Sequence, residues 1–242
     1  MKNSSKFLLA AVLVLLASLT AYNMALRTEY YLGAYKDPLR GYVDLGFKNF
    51  TTVAVPASGV VGVKIVSGPF QVRLNPRAAE YVQVRQQGSQ LVVTAAFPDS
   101  RRFFGPAATV LISCPHLAAL TTDAVYQASG KQVVGKNFWN AEQVLVQGFR
   151  QDSLAVRADR GSRVELAGNY LGYLGAGAGP SLGSHTQLQL NADNRIAAAD
   201  LTLGHQSELI LNNLAIPQLK YHVADSAKVT LGGAALRSLP QK

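Results

Sequence analysis

Toward its C-terminus the chain writes one phrase four times. A small or hydroxyl residue, a spacer, an aliphatic, a spacer and a leucine recur at Ser162–Leu166, Thr186–Leu190, Ser207–Leu211 and Ala227–Leu231. The leucines Leu166, Leu190, Leu211 and Leu231 follow one another at spacings of 24, 21 and 20 residues, and Val164, Leu188, Leu209 and Val229 stand two positions before them. An aliphatic pair of period two that returns at a near-constant interval is what strands stacked in register require. Three repeats carry a second apolar pair, Val156/Ala158, Leu201/Leu203 and Tyr221/Val223, beginning eight residues before Val164, Leu209 and Val229. The repeat around Leu188 breaks this offset, because LGAGAGPSLGSH intervenes; its GAGAG (Gly175–Gly179) reads as a turn or insertion between layers. Gly168, Asn191, Asn212, Asn213, Gly232 and Gly233 follow the leucines, where a bending chain needs residues that tolerate positive φ.

This spacing predicts an all-β chain folded as a single-stranded right-handed parallel β-helix, a solenoid with two short strands in each coil. A sandwich or barrel also recurs every ~8–12 residues but gives no reason for an in-register leucine column. Residues 53–242 would then form about nine coils and a rod about 40 Å long. The runs TVAVPA, GVVGVKIV, FQVRL, YVQVRQ and LVVTAAF, punctuated by Gly, Pro, Asn and Ser, extend strand character back to residue 53. Composition agrees: 21 glycines and only 15% charged residues suit many short strands joined by tight turns.

The start of the chain is different. Uncharged residues run from Phe7 to Leu26 behind MKNSSK. About 20 such residues cross a bilayer, while the block Phe7–Leu19 would also serve as the core of a signal peptide. Cleavage favours small residues at both −1 and −3, yet Ala21 has Leu19 at −3 and Ala25 has Asn23, which favours an uncleaved anchor. Lys2 and Lys6 place the N-terminus in the cytoplasm, with Arg27 reducing the contrast. The expected division is a membrane anchor or signal segment at 1–28, a linker or cap at 29–52 and the β-helix at 53–242. The expected location is the cell envelope, inner membrane through residues 7–26, with the C-terminal domain in the periplasm, or secreted or at the cell surface if the segment is cleaved.

With Lys2 and Lys6 set aside, 21 basic residues face 14 acidic ones. Such a balance draws a domain toward anionic lipid headgroups or acidic polysaccharide; nucleic acid is not expected outside a membrane. Arg150, Arg157, Arg160 and Arg163 surround consecutive turns, with Tyr170 and Tyr173 just beyond. Arginine with aromatics can hold carboxylated or sulfated groups by bidentate hydrogen bonds and stacking, so Arg157, Arg160, Arg163, Tyr170 and Tyr173 are the candidate anionic-ligand site. Arg101, Arg102, Phe103 and Phe104 form a second such grouping. Catalytic signals are thin. Cys114 stands alone, the four histidines make no HxH or HExxH, and the acids Asp152, Asp159, Asp193, Asp200 and Asp225 fall singly. No catalytic, metal or cofactor site is expected.

The N-terminal membrane segment, the stretch VSGPFQVRLNPRAAEYVQVRQQGSQLVVTA (Val66–Ala95) and the coils LAVRADRGSRVELAG and YHVADSAKVTLGG together resemble the auto-transporter adhesin head GIN domain family of Gram-negative bacteria, over about residues 53–235. The resemblance implies a right-handed parallel β-helix at the envelope without catalytic activity, adhesion being a name more than a demonstrated role. The chain departs from the family's SGSG-like stretch, with GPF and GAGAG instead, and its central coils are unusually rich in arginine. The expected function is a non-catalytic, binding, adhesion-like or structural role toward glycan, lipid headgroup or envelope protein; the alternative is a polysaccharide lyase or hydrolase on the same fold.

Overall fold

The computed structural model describes residues 3–33, 41–98, 109–136, 138–139 and 141–238. The chain divides into two units, Met1–Tyr42 and Val43–Lys242. The first contains helix α1 (Asn3–Leu32), in which Ser5–Tyr31 is long and apolar enough to cross a membrane. Its hydroxyls do not oppose this: Ser18, Thr20 and Thr28 donate to the carbonyls of Val14, Leu16 and Met24 at 2.8, 2.8 and 3.0 Å. These three hydroxyls are thereby satisfied within the helix, as a hydrocarbon surround demands.

The second unit is built of strands in two sheets. Its first half holds β1 (Val43–Asp44), β2 (Thr52–Val55), β3 (Val63–Ser67), β4 (Gln71–Leu74) and β5 (Val82–Gln87). There follow β6 (Gln90–Phe97), β7 (Val110–Cys114), β8 (Ala119–Thr122), β9 (Val125–Ala128) and β10 (Lys131–Val134). The second half holds β11 (Gln143–Gln147), β12 (Arg150–Ala158), β13 (Arg163–Ala167), β14 (Tyr170–Ala178) and β15 (Gln187–Leu190). It closes with β16 (Arg195–Leu203), β17 (Glu208–Asn212), β18 (Gln218–Val223) and β19 (Lys228–Gly232). One sheet runs β1-β4-β7-β3-β11-β13-β15-β17-β19 and the other β10-β9-β6-β2-β8-β12-β14-β16-β18, with β5 attached to β6.

These are mixed sheets, and they correct the expected fold: the chain is not a single-stranded right-handed parallel β-helix. The pairs β1–β4, β4–β7, β5–β6 and β9–β10 are antiparallel. Two of them are hairpins closed by two residues, Gly88–Ser89 and Ser129–Gly130. Gly88, Ser129 and Gly130 all adopt positive φ, at 60°, 51° and 70°, which lets so short a loop follow the right-handed twist of its strands. A hairpin returns the chain within its own sheet, where a coil would have carried it onward.

The leucine column itself is present. From β11 onward successive strands alternate between sheets, so parallel neighbours within a sheet are two strands apart. Leu166, Leu190, Leu211 and Leu231 are register partners in turn, as are Val164, Leu188, Leu209 and Val229. On the facing sheet Val156, Ala176, Leu201 and Tyr221 align likewise. Except at the final layer, where Tyr221 and Val229 are exposed, these side chains are buried between the sheets. GAGAG is therefore mostly strand: Gly175–Ala178 belong to β14, and the added residues of that repeat lie in the turn beyond.

One corner is held by buried amides. Asn169 Nδ2 donates to the Val146 carbonyl and to Asn194 Oδ1, each at 3.0 Å, while Asn169 Oδ1 accepts from the Phe149 amide at 3.0 Å. Asn194 Nδ2 donates to the Leu166 carbonyl at 2.7 Å. Backbone groups that the bend removes from the ladders regain partners there. The bend uses positive φ at Gly148, Gly168, Asn213 and Gly233, but not at Asn191, Asn212 or Gly232.

Leu190 is completely buried in its column. Leu190→Ala should cost about 2–5 kcal/mol, its methyl groups being lost from between aligned neighbours that cannot collapse. Chemical denaturation measures this; a loss below ~1 kcal/mol would mean that the column is not tightly packed.

Candidate ligand-binding face

Strand β14 of the second sheet, between β12 and β16, carries an unusual outer surface. On β14 the residues Leu171, Leu174, Ala176 and Ala178 are buried against the core, leaving Tyr170, Tyr173, Gly175 and Gly177 outward. Neither Gly175 nor Gly177 has positive φ. A Cβ added at Gly177 would meet nothing within 4 Å, and one at Gly175 would rest 3.4 Å from Cε1 of Tyr173. The backbone does not require glycine at 177. In mid-strand it costs about 0.5–1 kcal/mol relative to alanine, and it is found where something approaches the backbone closely.

What the missing side chains leave is a groove of about 580 Å³. The register places β12 on one side and β16 on the other: Ala155, Gly175 and Asp200 form one row, and Arg157, Gly177 and Thr202 the next. Arg157 and Thr202 are thus separated by two strand spacings, about 9.5 Å between backbones. Thr121 lies beyond Arg157 in the same row. The ring of Tyr173 closes one end, over Gly175, and Pro180 and Gly204 line the other. Among the described residues, Arg157 and Asp200 have no hydrogen-bond or ion-pair partner.

Farther along the same face the Tyr170 ring lies between two guanidinium groups, Arg150 Cζ at 4.4 Å and Arg195 Cζ at 5.3 Å from its centroid. The three residues are register partners on β12, β14 and β16. A second hollow of about 680 Å³ adjoins them, lined by Tyr170, Arg195, Ala197 and Pro217 among others.

Of the five residues expected to form one site, Arg157 and Tyr173 share the groove and Tyr170 lies on the same sheet face. Arg160 and Arg163 do not join them. Arg160, at φ 40°, occupies the corner after β12 and pairs with Asp123. Arg163 is on β13 of the other sheet. Sequence reasoning misses Gly177, Thr202, Arg195 and Asp200 as residues of this face. The signal for them is the alternation in RIAAADLTL, which sets Asp200 and Thr202 outward once β16 is paired with β14. Arg101, Arg102, Phe103 and Phe104 lie outside the described residues.

The Arg160 corner is a polar network of its own. Ser181 and Ser184 donate hydroxyl hydrogen bonds to the Asp159 carboxylate, and the Arg160 and Ser181 amides donate to it at 2.9 and 3.3 Å. Burial raises the Asp159 pKa, but these donors outweigh it and hold the carboxyl below the ordinary aspartate value. At Asp123 burial wins over pairing with Arg160, and the carboxyl is pushed up. Cys114 is buried on β7, and burial, opposed by a hydrogen bond from the His116 amide, pushes its thiol up to about 12; it is a protonated packing group, not a nucleophile. Among the described residues no three His, Cys, Asp or Glu side chains gather to hold a metal.

Three substitutions probe this arrangement. A depressed carboxyl stabilises the fold above the ordinary aspartate pKa, and that contribution is lost as pH falls through the depressed value. Asp159→Asn should therefore lower Tm at neutral pH and flatten its decline between about pH 5 and pH 3; parallel profiles for both proteins would refute the linkage. Gly177→Val should raise stability by about 0.5–1 kcal/mol, since its Cβ enters open space on a strand. Gly204→Ala should destabilise, because its Cβ would collide with the Gly179 carbonyl.

No family model matches the chain, and no curated protein matches it. Among solved structures, the crystal structure of a protein described as a "putative adhesin" from Bacteroides fragilis aligns at a TM-score of 0.45 and 12% identity, covering 79% of this chain and 93% of that one. A likeness of this size carries no argument about what the present chain binds.

Proposed function

We propose that this protein is a non-catalytic binding module tethered to the cell envelope, with the outer face of its second sheet as the ligand surface. The observation that carries this reading is the glycine-floored groove, which sets an unpaired guanidinium and an unpaired carboxylate on opposite sides of an open floor beside an exposed tyrosine. Such a groove presents hydrogen-bonding groups around a flat hollow, the form that suits a polar ligand with a stackable face. Among the described residues Asp200 is the only carboxylate lining it. Glycoside hydrolysis usually employs two carboxyl groups about 5–9.5 Å apart, so the lining favours holding a ligand over cleaving it.

Tethering is supported by α1. Its apolar stretch Ser5–Tyr31 is long enough to span, and tyrosines 22, 30 and 31 lie toward its C-terminal end, where interfacial aromatics collect. Lys2 and Lys6 ahead of the apolar stretch support an orientation with the N-terminal side in the cytoplasm and the β unit in the periplasm.

The test is binding of the full chain, in detergent micelles, to an array of neutral and acidic glycans and to vesicles with and without anionic lipid, beside Arg157→Ala and Gly177→Val. Glycan binding lost in both folded variants is the expected result. Binding to none of these surfaces, or binding indifferent to both substitutions, would overturn the reading.

A further inference from the structure

The two exposed tyrosines of β14 are three residues apart, an odd separation that in a regular strand puts side chains on opposite faces. They share a face because the alternation is shifted between them. Register partners run Gln151–Leu171–Ile196 and then Ser153–Tyr173–Ala198, leaving Asp152, Gly172 and Ala197 each unpaired at the same level of three neighbouring strands. An extra residue of this kind re-aims the side chains that follow it. Stacking it through three strands brings the backbones close: a Cβ at Gly172 would lie 2.8 Å from the Asp152 carbonyl oxygen, so glycine is required there.

The kink yields a track along β14. Tyr170 comes first, flanked by Arg150 and Arg195. Tyr173 follows about 10 Å on, with Asp200 and then Arg157 and Thr202 beside the open floor at Gly177. From Tyr170 to Gly177 the strand covers about 23 Å. Four cationic side chains, Arg150, Arg157, Arg195 and Lys220, occupy the strands that border or continue this face, against Asp152 and Asp200. Stacked against a ring, the guanidinium groups keep their N–H edges available to an anion.

Building on the groove reading above, we propose that the ligand is a linear acidic polysaccharide lying along β14, one ring stacked on Tyr173 and its acidic groups met by Arg157 and by Arg150 and Arg195, which the Tyr170 ring between them holds in place. The chemistry is shared by carboxylated and sulfated sugars. A flat ring face suits stacking, periodic negative charge suits the spaced guanidinium groups, and the length of the track needs several linked rings.

The experiment measures binding of the full chain in detergent to galacturonic acid oligomers of two and six rings, a sulfated hexasaccharide and a neutral hexasaccharide, at low and high salt. An acidic six-ring oligomer should bind at least about tenfold more tightly than the two-ring oligomer, and Tyr170→Ala and Tyr173→Ala should each weaken it about tenfold, with Tyr170→Trp restoring it. The Arg150→Ala/Arg195→Ala pair should reduce its salt sensitivity. Preference between the carboxylated and sulfated probes identifies the acidic group; equal binding of the neutral hexasaccharide overturns the acidic assignment. Loss of binding in Gly177→Val with Tyr170→Ala unchanged overturns the track and leaves the groove. Binding untouched by any of these substitutions overturns both.

Discussion

Parallel register between strands two apart in sequence is the constraint on which the second half of this molecule depends. Each strand from β11 to β17 is bonded to one neighbour earlier and one later in its own sheet, and the chain visits the opposite sheet between them. The length of that excursion sets the spacing of about 20 residues. A slip of one residue would turn every leucine of the strand to solvent, so the buried columns and the hydrogen-bonded ladders enforce each other. The outer face inherits the same accuracy. Arg157, Gly177 and Thr202 come from three segments far apart in sequence, and they form one row because Val156, Ala176 and Leu201 beneath them do.

The parts of the fold that repeat were legible. An aliphatic pair with period two and a fixed offset leaves little freedom for how its copies align, and Leu166, Leu190, Leu211 and Leu231 align as their spacing indicates. The antiparallel pairs of the first half were not, because alternation marks a strand without saying in which direction its neighbour runs. Gly88–Ser89 and Ser129–Gly130 were the visible evidence for hairpins, but they read equally as punctuation between coils. GAGAG failed for a related reason. Glycine serves both turns and close approaches, and the alternation of Gly175 and Gly177 with Ala176 and Ala178 is too small in side-chain volume to register as a hydrophobic pattern.

The candidate site was half visible. Arg157, Arg160 and Arg163 lie within seven residues of one another, yet the chain turns a corner in that interval, sending one arginine to each sheet and one to the bend. Residues distant in sequence replaced them. Asp200 reaches the groove from 43 positions beyond Arg157, and only strand pairing makes them neighbours. Tyr170 and Tyr173 were grouped by proximity alone; strict alternation would have separated them, and the unpaired Gly172 is what keeps them on one face. Resemblance at the level of repeated coils says nothing about such a local departure, since it disturbs neither the leucine column nor the turns.

The buried asparagines at the corner bear on how the molecule comes apart. Asn169 is bonded to groups of the layer before it, Val146 and Phe149, and to Asn194 of the layer after, while Asn194 reaches back to Leu166. Peeling away one layer would strand donors and acceptors in the next within an apolar interior, where each unpaired group costs about 1–3 kcal/mol. Stacked architectures with interchangeable layers fray from their ends, each layer responding mainly to its neighbours. Here the side-chain amides lock β11 to β16 into a single cooperative block, so hydrogen exchange at the corner amides is governed by the opening of the block as a whole rather than by the distance of any one strand from the end.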